Sequence, residues 1–152
     1  MEESFLHLIE ELRLVRERRA RLTERERELS SPRLTDPALI PEIYGWFRSA
    51  LSEADAAPDP DTPIRRREFL FIVLVLFAPR ALVGDRLPNG IRSALSAALP
   101  DVSPCVISNN IADATFFYRH YKVFRQEVER LYAHVLGRLK EKGRTTPSCH
   151  SE

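Results

Sequence analysis

Apolar positions recur at helical spacing along most of this chain, first near its N-terminal end. Apolar side chains there alternate in steps of three and four residues, the heptad spacing of a coiled-coil helix, at Phe5, Leu8, Leu12, Val15, Leu22 and Leu29. Arg19 and Glu26 fill the remaining positions of this seam, so charges of both signs interrupt its second half. The pattern predicts a coiled-coil-like arm over residues 1–31 that packs on its own domain or on a partner helix.

A second helix is predicted over about residues 37–52. Asp36 supplies its N-cap and Pro37 its first position, a combination that is frequent at helix starts. One side of this helix is apolar and carries Leu39, Ile43, Trp46, Phe47 and Ala50. The acidic, proline-rich segment 53–63 that follows predicts a flexible connector and is the best position for an internal boundary.

The most apolar stretch of the chain, FLFIVLVLFA at residues 69–78, predicts a buried core helix. Thr62 and Pro63 provide its start and Pro79 its end, although its β-branched residues leave a strand as the alternative. The stretch is too short to span a bilayer as a helix. The residues just before it, Arg65, Arg66 and Arg67, form either a phosphate-facing cluster or a solubilising cap.

Residues 91–113 have the pattern of a helix, a short turn and a second, capped helix. Apolar side chains recur at helical spacing in the segment IRSALSAAL, residues 91–99. Ser103 and Pro104 then supply a hydroxyl cap and a proline at the first position of a new helix. The inward stripe continues there through Ile107, Ile111 and Ala114. This succession predicts a helix-turn-helix motif.

The segment LPDVSPCVISNNI, residues 99–111, resembles the turn and recognition helix of bacterial and phage helix-turn-helix regulators. Their usual pattern is a leucine, a glycine, a small apolar residue, a serine, often a proline, and then valine or isoleucine followed by serine. The matching residues are Leu99, Val102, Ser103, Pro104, Ile107 and Ser108. The turn is one residue longer, because Pro100 and Asp101 stand where one glycine is usual. The resemblance implies binding to double-stranded DNA.

Helical geometry indicates which side chains of the second motif helix face DNA. With Ile107 directed inward, a rotation of about 100° per residue directs Cys105, Ser108 and Asn109 outward. The Asn109 amide is the best base reader, because it can pair bidentately with the adenine edge in the major groove. The alternative is that Asn109 and Asn110 are simply exposed polar residues and that Cys105 and Val106 pack against another helix.

Predicted phosphate contacts follow from local charge. The net charge of +1 gives no global attraction to nucleic acid, but residues 63–99 carry +4 whereas residues 32–62 carry −4. The free N–H groups of the helix start at Ser103 suit a phosphate. The helix start and the nearby arginines are therefore expected to contact phosphates and so to position the protein on the DNA. The residues concerned are Ser103, Arg92, Arg119 and the cluster of Arg65, Arg66 and Arg67.

The second motif helix is predicted to continue without a break as one long C-terminal helix. No proline or glycine occurs between Pro104 and Gly137. The three-four rhythm continues through Tyr118, Tyr121, Val128, Tyr132, Val135 and Leu139. Interleaved aromatic and basic residues also suit base stacking on single strands, but core packing is the preferred interpretation at this spacing. Residues 143–152 are predicted to form a disordered tail.

The sequence carries no catalytic signature. The four histidines have no HExxH or similar ligand spacing, and there is neither a glycine-rich phosphate loop nor a GxSxG motif. The two cysteines lie far apart, and acidic residues follow Met1 where a secretory signal has basic ones. We therefore expect a cytoplasmic protein that is not an enzyme, with no cofactor, no metal, no small-molecule substrate and no membrane contact.

These patterns together predict an all-α protein with an arm over 1–31, a helical domain over 32–142 and a tail over 143–152. The expected function is DNA binding by a dimeric transcriptional or mobile-element regulator, and the expected partners are double-stranded DNA and a second copy of the chain. The alternative is a helical oligomerisation or adaptor protein with no nucleic-acid role, whose interfaces are the arm and the C-terminal helix.

Overall fold

The computed structural model describes residues 4–53, 62–99 and 102–145, and these residues form helices without any strand. The α-helices are α1 (Phe5–Leu29), α2 (Ile40–Glu53), α3 (Pro63–Phe77), α4 (Asn89–Ala98), α5 (Pro104–His120) and α6 (Lys122–Thr145). Short 3₁₀ helices at Pro37–Leu39 and Pro79–Val83 precede α2 and follow α3. The predicted all-α class is confirmed, and the strand alternative for the apolar stretch is wrong.

The chain divides into two compact units, Met1–Ser31 and Pro32–Glu152. The first unit contains α1, which begins after Ser4, whose hydroxyl accepts a hydrogen bond from the Leu6 N–H at 3.1 Å. None of the residues of α1 is buried. Its charged side chains pair along the helix, as between Arg27 and Glu24 at 2.7 Å.

The core of the second unit is built around α3, which is buried from Glu68 to Leu74. This burial on every side explains why α3 is apolar all round rather than along one stripe. Its Phe69 ring packs against the rings of Phe47 and Tyr44 on α2, with centroid distances of 5.4 and 4.9 Å. The predicted buried positions of α3 are confirmed at Leu70, Val73, Leu74 and Phe77.

The connector between α2 and α3 is not a domain boundary. Both helices belong to the same compact unit, in which α2 packs against α4 and α6 while α3 packs against α5 and α6. The predicted internal boundary at 53–63 is therefore wrong, because the apolar faces on either side of the connector share one core. Residues 54–61 lie outside the described residues, as do residues 146–152, which include most of the predicted tail.

The predicted single C-terminal helix is two helices. Tyr121 breaks it, with extended backbone angles of φ −120° and ψ 112°. The Arg125 guanidinium donates to the carbonyls of Tyr118 and Arg119, each at 3.1 Å, and so satisfies groups left open at the end of α5. Beyond the break, α6 buries a stripe of its own in the core, comprising Phe124, Val128, Leu131 and Val135. The helix thus ends at a position that carries neither proline nor glycine.

Candidate nucleic-acid interface

The two motif helices, α4 and α5, pack against each other in the second unit. Ile91 and Leu95 of α4 are buried, and so is Ile107 of α5. The Ser96 hydroxyl of α4 donates to the Val102 carbonyl at 2.8 Å, which fastens the far end of the connection to α4. Residues 100–101, in the predicted turn, lie outside the described residues.

The start of α5 has the cap that the sequence predicted. Ser103 lies in extended conformation, and its hydroxyl accepts a hydrogen bond from the Val106 N–H at 3.3 Å. Pro104 occupies the first helical position. Pro104 has no N–H, the cap satisfies the N–H of Val106, and the Ile107 N–H donates to the Ser103 carbonyl. Among the residues described, the Cys105 N–H is therefore left open at this exposed helix end, whose partial positive charge favours an anion.

The outward face of α5 is polar and open to solvent. Cys105, Ser108 and Asn109 are exposed there, as the helical geometry predicted. The two neighbouring asparagines differ, because Asn110 is buried and its amide donates to the Val106 carbonyl at 2.9 Å. Within the described residues the Asn109 side chain has no hydrogen-bond partner, so its amide is available to a ligand.

A groove of about 510 Å³ lies beside this face, between the segment that follows α3, helix α4 and helix α5. Its lining brings together Arg92 and Arg119, which the sequence predicted, and Ser108 from the outward face of α5. Arg86 also lines it and was not predicted, because it lies in the loop before α4 and no sequence pattern connects that loop to α5. We call the side chains of Arg86, Arg92 and Arg119 the arginine groove.

The arginine groove is electropositive. None of its three guanidinium groups has an ion pair within the described part of the chain, and the Nε of Arg92 is buried without a hydrogen-bond partner. The acidic residue of the lining, Asp85, lies 3.8 Å from Arg80 and is balanced by it. A buried, unpaired guanidinium nitrogen is costly, so this arrangement favours an anionic ligand with several acceptor oxygens.

Arg65 does not belong to the groove. Its Nη1 lies 2.8 Å from a carboxylate oxygen of Glu68 and 2.8 Å from one of Glu127. Burial raises the pKa of Glu68 above its ordinary value, whereas hydrogen bonding, chiefly from Arg130, lowers the pKa of Glu127. Arg65 therefore belongs to an internal charge network, in which two carboxylates already occupy its guanidinium instead of a phosphate.

The other members of the predicted cluster are also half-buried. Arg67 lies 3.4 Å from Asp113 of α5, and its guanidinium stands 4.9 Å from the centroid of the Phe117 ring. Arg66 has one buried guanidinium nitrogen without a partner among the described residues. On the helical wheel of α5, Asp113 and Phe117 lie on the opposite flank of the outward face from the arginine groove. Arg65 and Arg67 are therefore paired with carboxylates, and none of the three arginines lines the groove.

A second cavity, of about 770 Å³, lies beside the charge network at the junction of α5 and α6. Its charged lining residues are Arg65, Glu68, Glu127 and Arg130, which pair with one another. No group of three metal-ligating side chains occurs in the described ranges. Among the helices described, none combines the length and the apolar character needed to cross a membrane.

Comparisons with known protein families, with curated proteins and with solved structures find no match to this chain. The geometry and charge of the α4–α5 region are therefore the features that indicate a function. That geometry consists of an exposed polar helix face, a capped helix start and an electropositive groove, all within the α4–α5 region.

Proposed function

We propose that this chain binds double-stranded DNA, with the outward face of α5 in the major groove and the arginine groove against the sugar-phosphate backbone. The observation that carries the proposal is the position of Arg92 and Arg119 beside Ser108, in one groove and without acidic partners. Phosphate oxygens supply the acceptors that these guanidinium groups lack. The polar side chains of α5 then lie where base edges are read.

The division of labour follows from the chemistry of the side chains. Arginine contacts to phosphate give affinity and orientation but are the same for every sequence. The Asn109 amide offers a donor and an acceptor side by side, which match the N6 and N7 positions of adenine. Cys105 and Ser108 lie on the same exposed face and complete the surface that would meet neighbouring bases. A role as a transcriptional or mobile-element regulator follows from the resemblance of residues 99–111.

The second candidate function is that of an oligomerisation or adaptor protein. It is favoured by α1, whose apolar seam is exposed along its length. An adaptor would have no affinity for duplex DNA, so a direct binding measurement distinguishes the two functions. Fluorescence anisotropy of labelled random duplexes at low salt makes that measurement. No binding below about 10 μM, a concentration that even non-specific DNA-binding proteins reach at low salt, would reject DNA binding.

Asn109→Ala is expected to weaken binding to the preferred site by about 1–3 kcal/mol and to relax base choice at one position. The loss is specific because other sequences lack the base edge that this amide pairs with. Selection from a random duplex library, followed by anisotropy on the selected site, measures both effects. Gln126→Ala is the matched control, since it removes an exposed amide from α6, away from the interface. Equal losses on selected and random duplexes would contradict base reading by Asn109.

Arg92→Ala is expected to weaken binding to all duplexes alike and to reduce the slope of log K against log salt by about one unit, because one phosphate contact is lost. Arg48→Ala is the control, as it removes an exposed arginine from α2. Titrations at several salt concentrations give the slope directly. An unchanged slope in Arg92→Ala would exclude the arginine groove from the DNA interface, even if the chain still bound DNA elsewhere.

A further inference from the structure

Helix α1 presents an apolar seam to solvent over its whole length of 25 residues. The exposed fraction is 81% at Phe5, 71% at Leu22 and 65% at Leu29, and it exceeds half at Leu8, Leu12 and Val15 as well. A single helix gains little stability in water from its local interactions alone. An exposed apolar seam of six residues, interrupted only by Arg19 and Glu26, indicates a surface that binds a partner.

We propose that α1 pairs with α1 of a second copy of this chain as an antiparallel, two-stranded coiled coil. The seam itself identifies the occupant. Phe5 is the first residue and Leu29 the last, both of the helix and of the seam. An antiparallel pairing that places Phe5 against Leu29 of the second copy therefore uses the full length of both helices and leaves no apolar end uncovered.

A parallel, in-register pairing is disfavoured by the charges inside the seam. It would place Arg19 against Arg19 of the second copy and Glu26 against Glu26 of the second copy. Each of these layers would bring two like charges together where water is largely excluded, and charges in such places are costly unless an opposite charge meets them. The apolar residues on either side do not provide that opposite charge.

The antiparallel register avoids every such layer. Phe5 meets Leu29 of the second copy and Leu12 meets Leu22 of the second copy. These layers are entirely apolar. Arg19 meets Val15 of the second copy, and Glu26 meets Leu8 of the second copy. Each charged side chain can then lay its aliphatic stem along an apolar neighbour and extend its charged end to solvent, as long polar side chains do at interfaces.

Charges flanking the seam add a smaller contribution. Glu11 faces Arg25 of the second copy, and the two-fold symmetry produces this attractive pair twice. Arg16 and Arg18 each approach their own counterparts near the midpoint, which opposes pairing. These flanking side chains remain in solvent, where salt screens them and an ion pair contributes less than about 1 kcal/mol. The layers inside the seam therefore determine the orientation.

The orientation can be tested by cross-linking the full-length chain through single cysteines, with Cys105 and Cys149 replaced by serine. Leu12→Cys and Leu22→Cys are prepared separately and then mixed, and a short thiol-specific cross-linker is added. The mixture is expected to give a cross-linked dimer, whereas each variant alone gives little. Leu6→Cys, an exposed position of α1 outside the seam, is the control. Light scattering of the uncross-linked chain is expected to give twice the monomer mass.

Three outcomes of the cross-linking and light-scattering experiments would contradict antiparallel pairing. A cross-link formed by Leu12→Cys alone shows parallel pairing and overturns the proposal. Absence of a cross-link in the mixture also overturns it, since a dimer would then be held elsewhere, and so does a monomer mass at micromolar concentration. The measurement contains no DNA, so its outcome is independent of whether the arginine groove binds a duplex.

Discussion

Leu74→Ala is expected to lower the free energy of unfolding of the second unit by about 2–5 kcal/mol. Leu74 lies in the last turn of α3 and is fully buried. Truncation withdraws its apolar surface from the core and leaves a cavity that the surrounding helices can only partly fill, because protein interiors are close-packed. Urea unfolding followed by the fluorescence of Trp46, the one tryptophan of the chain, measures the loss.

Two valine-to-alanine substitutions, one buried and one exposed, separate the effect of burial from the effect of a shorter side chain. Val73 of α3 is fully buried, whereas Val123 near the start of α6 is 78% exposed. Val73→Ala should therefore destabilise the unit measurably, while Val123→Ala should stay within about 0.5 kcal/mol of the wild type. A loss below about 1 kcal/mol for Leu74→Ala would contradict the position of α3 in the core.

The parts of the fold that the sequence predicted depend on residues close together in the chain. Thr62 and Ser103 each accept a hydrogen bond from an N–H three residues later, so their capping role is visible in a four-residue window. The inward positions of α5 follow from helical spacing alone. Cys105, Ser108 and Asn109 are exposed for the same reason, since one buried position fixes the orientation of the whole helix.

The parts that the sequence did not predict depend on residues far apart. No proline or glycine marks the break at Tyr121, and beyond it α6 packs a separate apolar stripe in the core. The partner of Arg65 at Glu127 is 62 residues away, and the partner of Arg67 at Asp113 is 46 residues away. Two of the three arginines that look free in the sequence, Arg65 and Arg67, are thereby paired with carboxylates. Arg86, which no sequence pattern marks, lines the groove.

The charge network at Arg65 should be the most sensitive polar site in the second unit. Arg65→Met is expected to lower the free energy of unfolding by about 3–5 kcal/mol, because it leaves the carboxylate of Glu68 buried without its cation. The Glu68 side chain is only 4% exposed, so water solvates its carboxylate poorly once the partner is lost. Arg130→Met is the control within the same network, since that side chain is 43% exposed and its removal should cost less than about 1 kcal/mol.

A second variant and a pH series distinguish an uncompensated charge from lost packing. Adding Glu68→Leu to Arg65→Met should recover much of the stability, because it removes the buried charge as well as its partner. Without Arg65, the pKa of Glu68 lies still further above its value in the unfolded chain. The folded state of Arg65→Met then binds an extra proton as the pH falls, so its deficit relative to wild type should shrink on acidification and grow as the pH rises through that raised pKa. A deficit that is the same at acidic and neutral pH, and that persists in the double variant, would show that Arg65 acts through packing rather than through its charge.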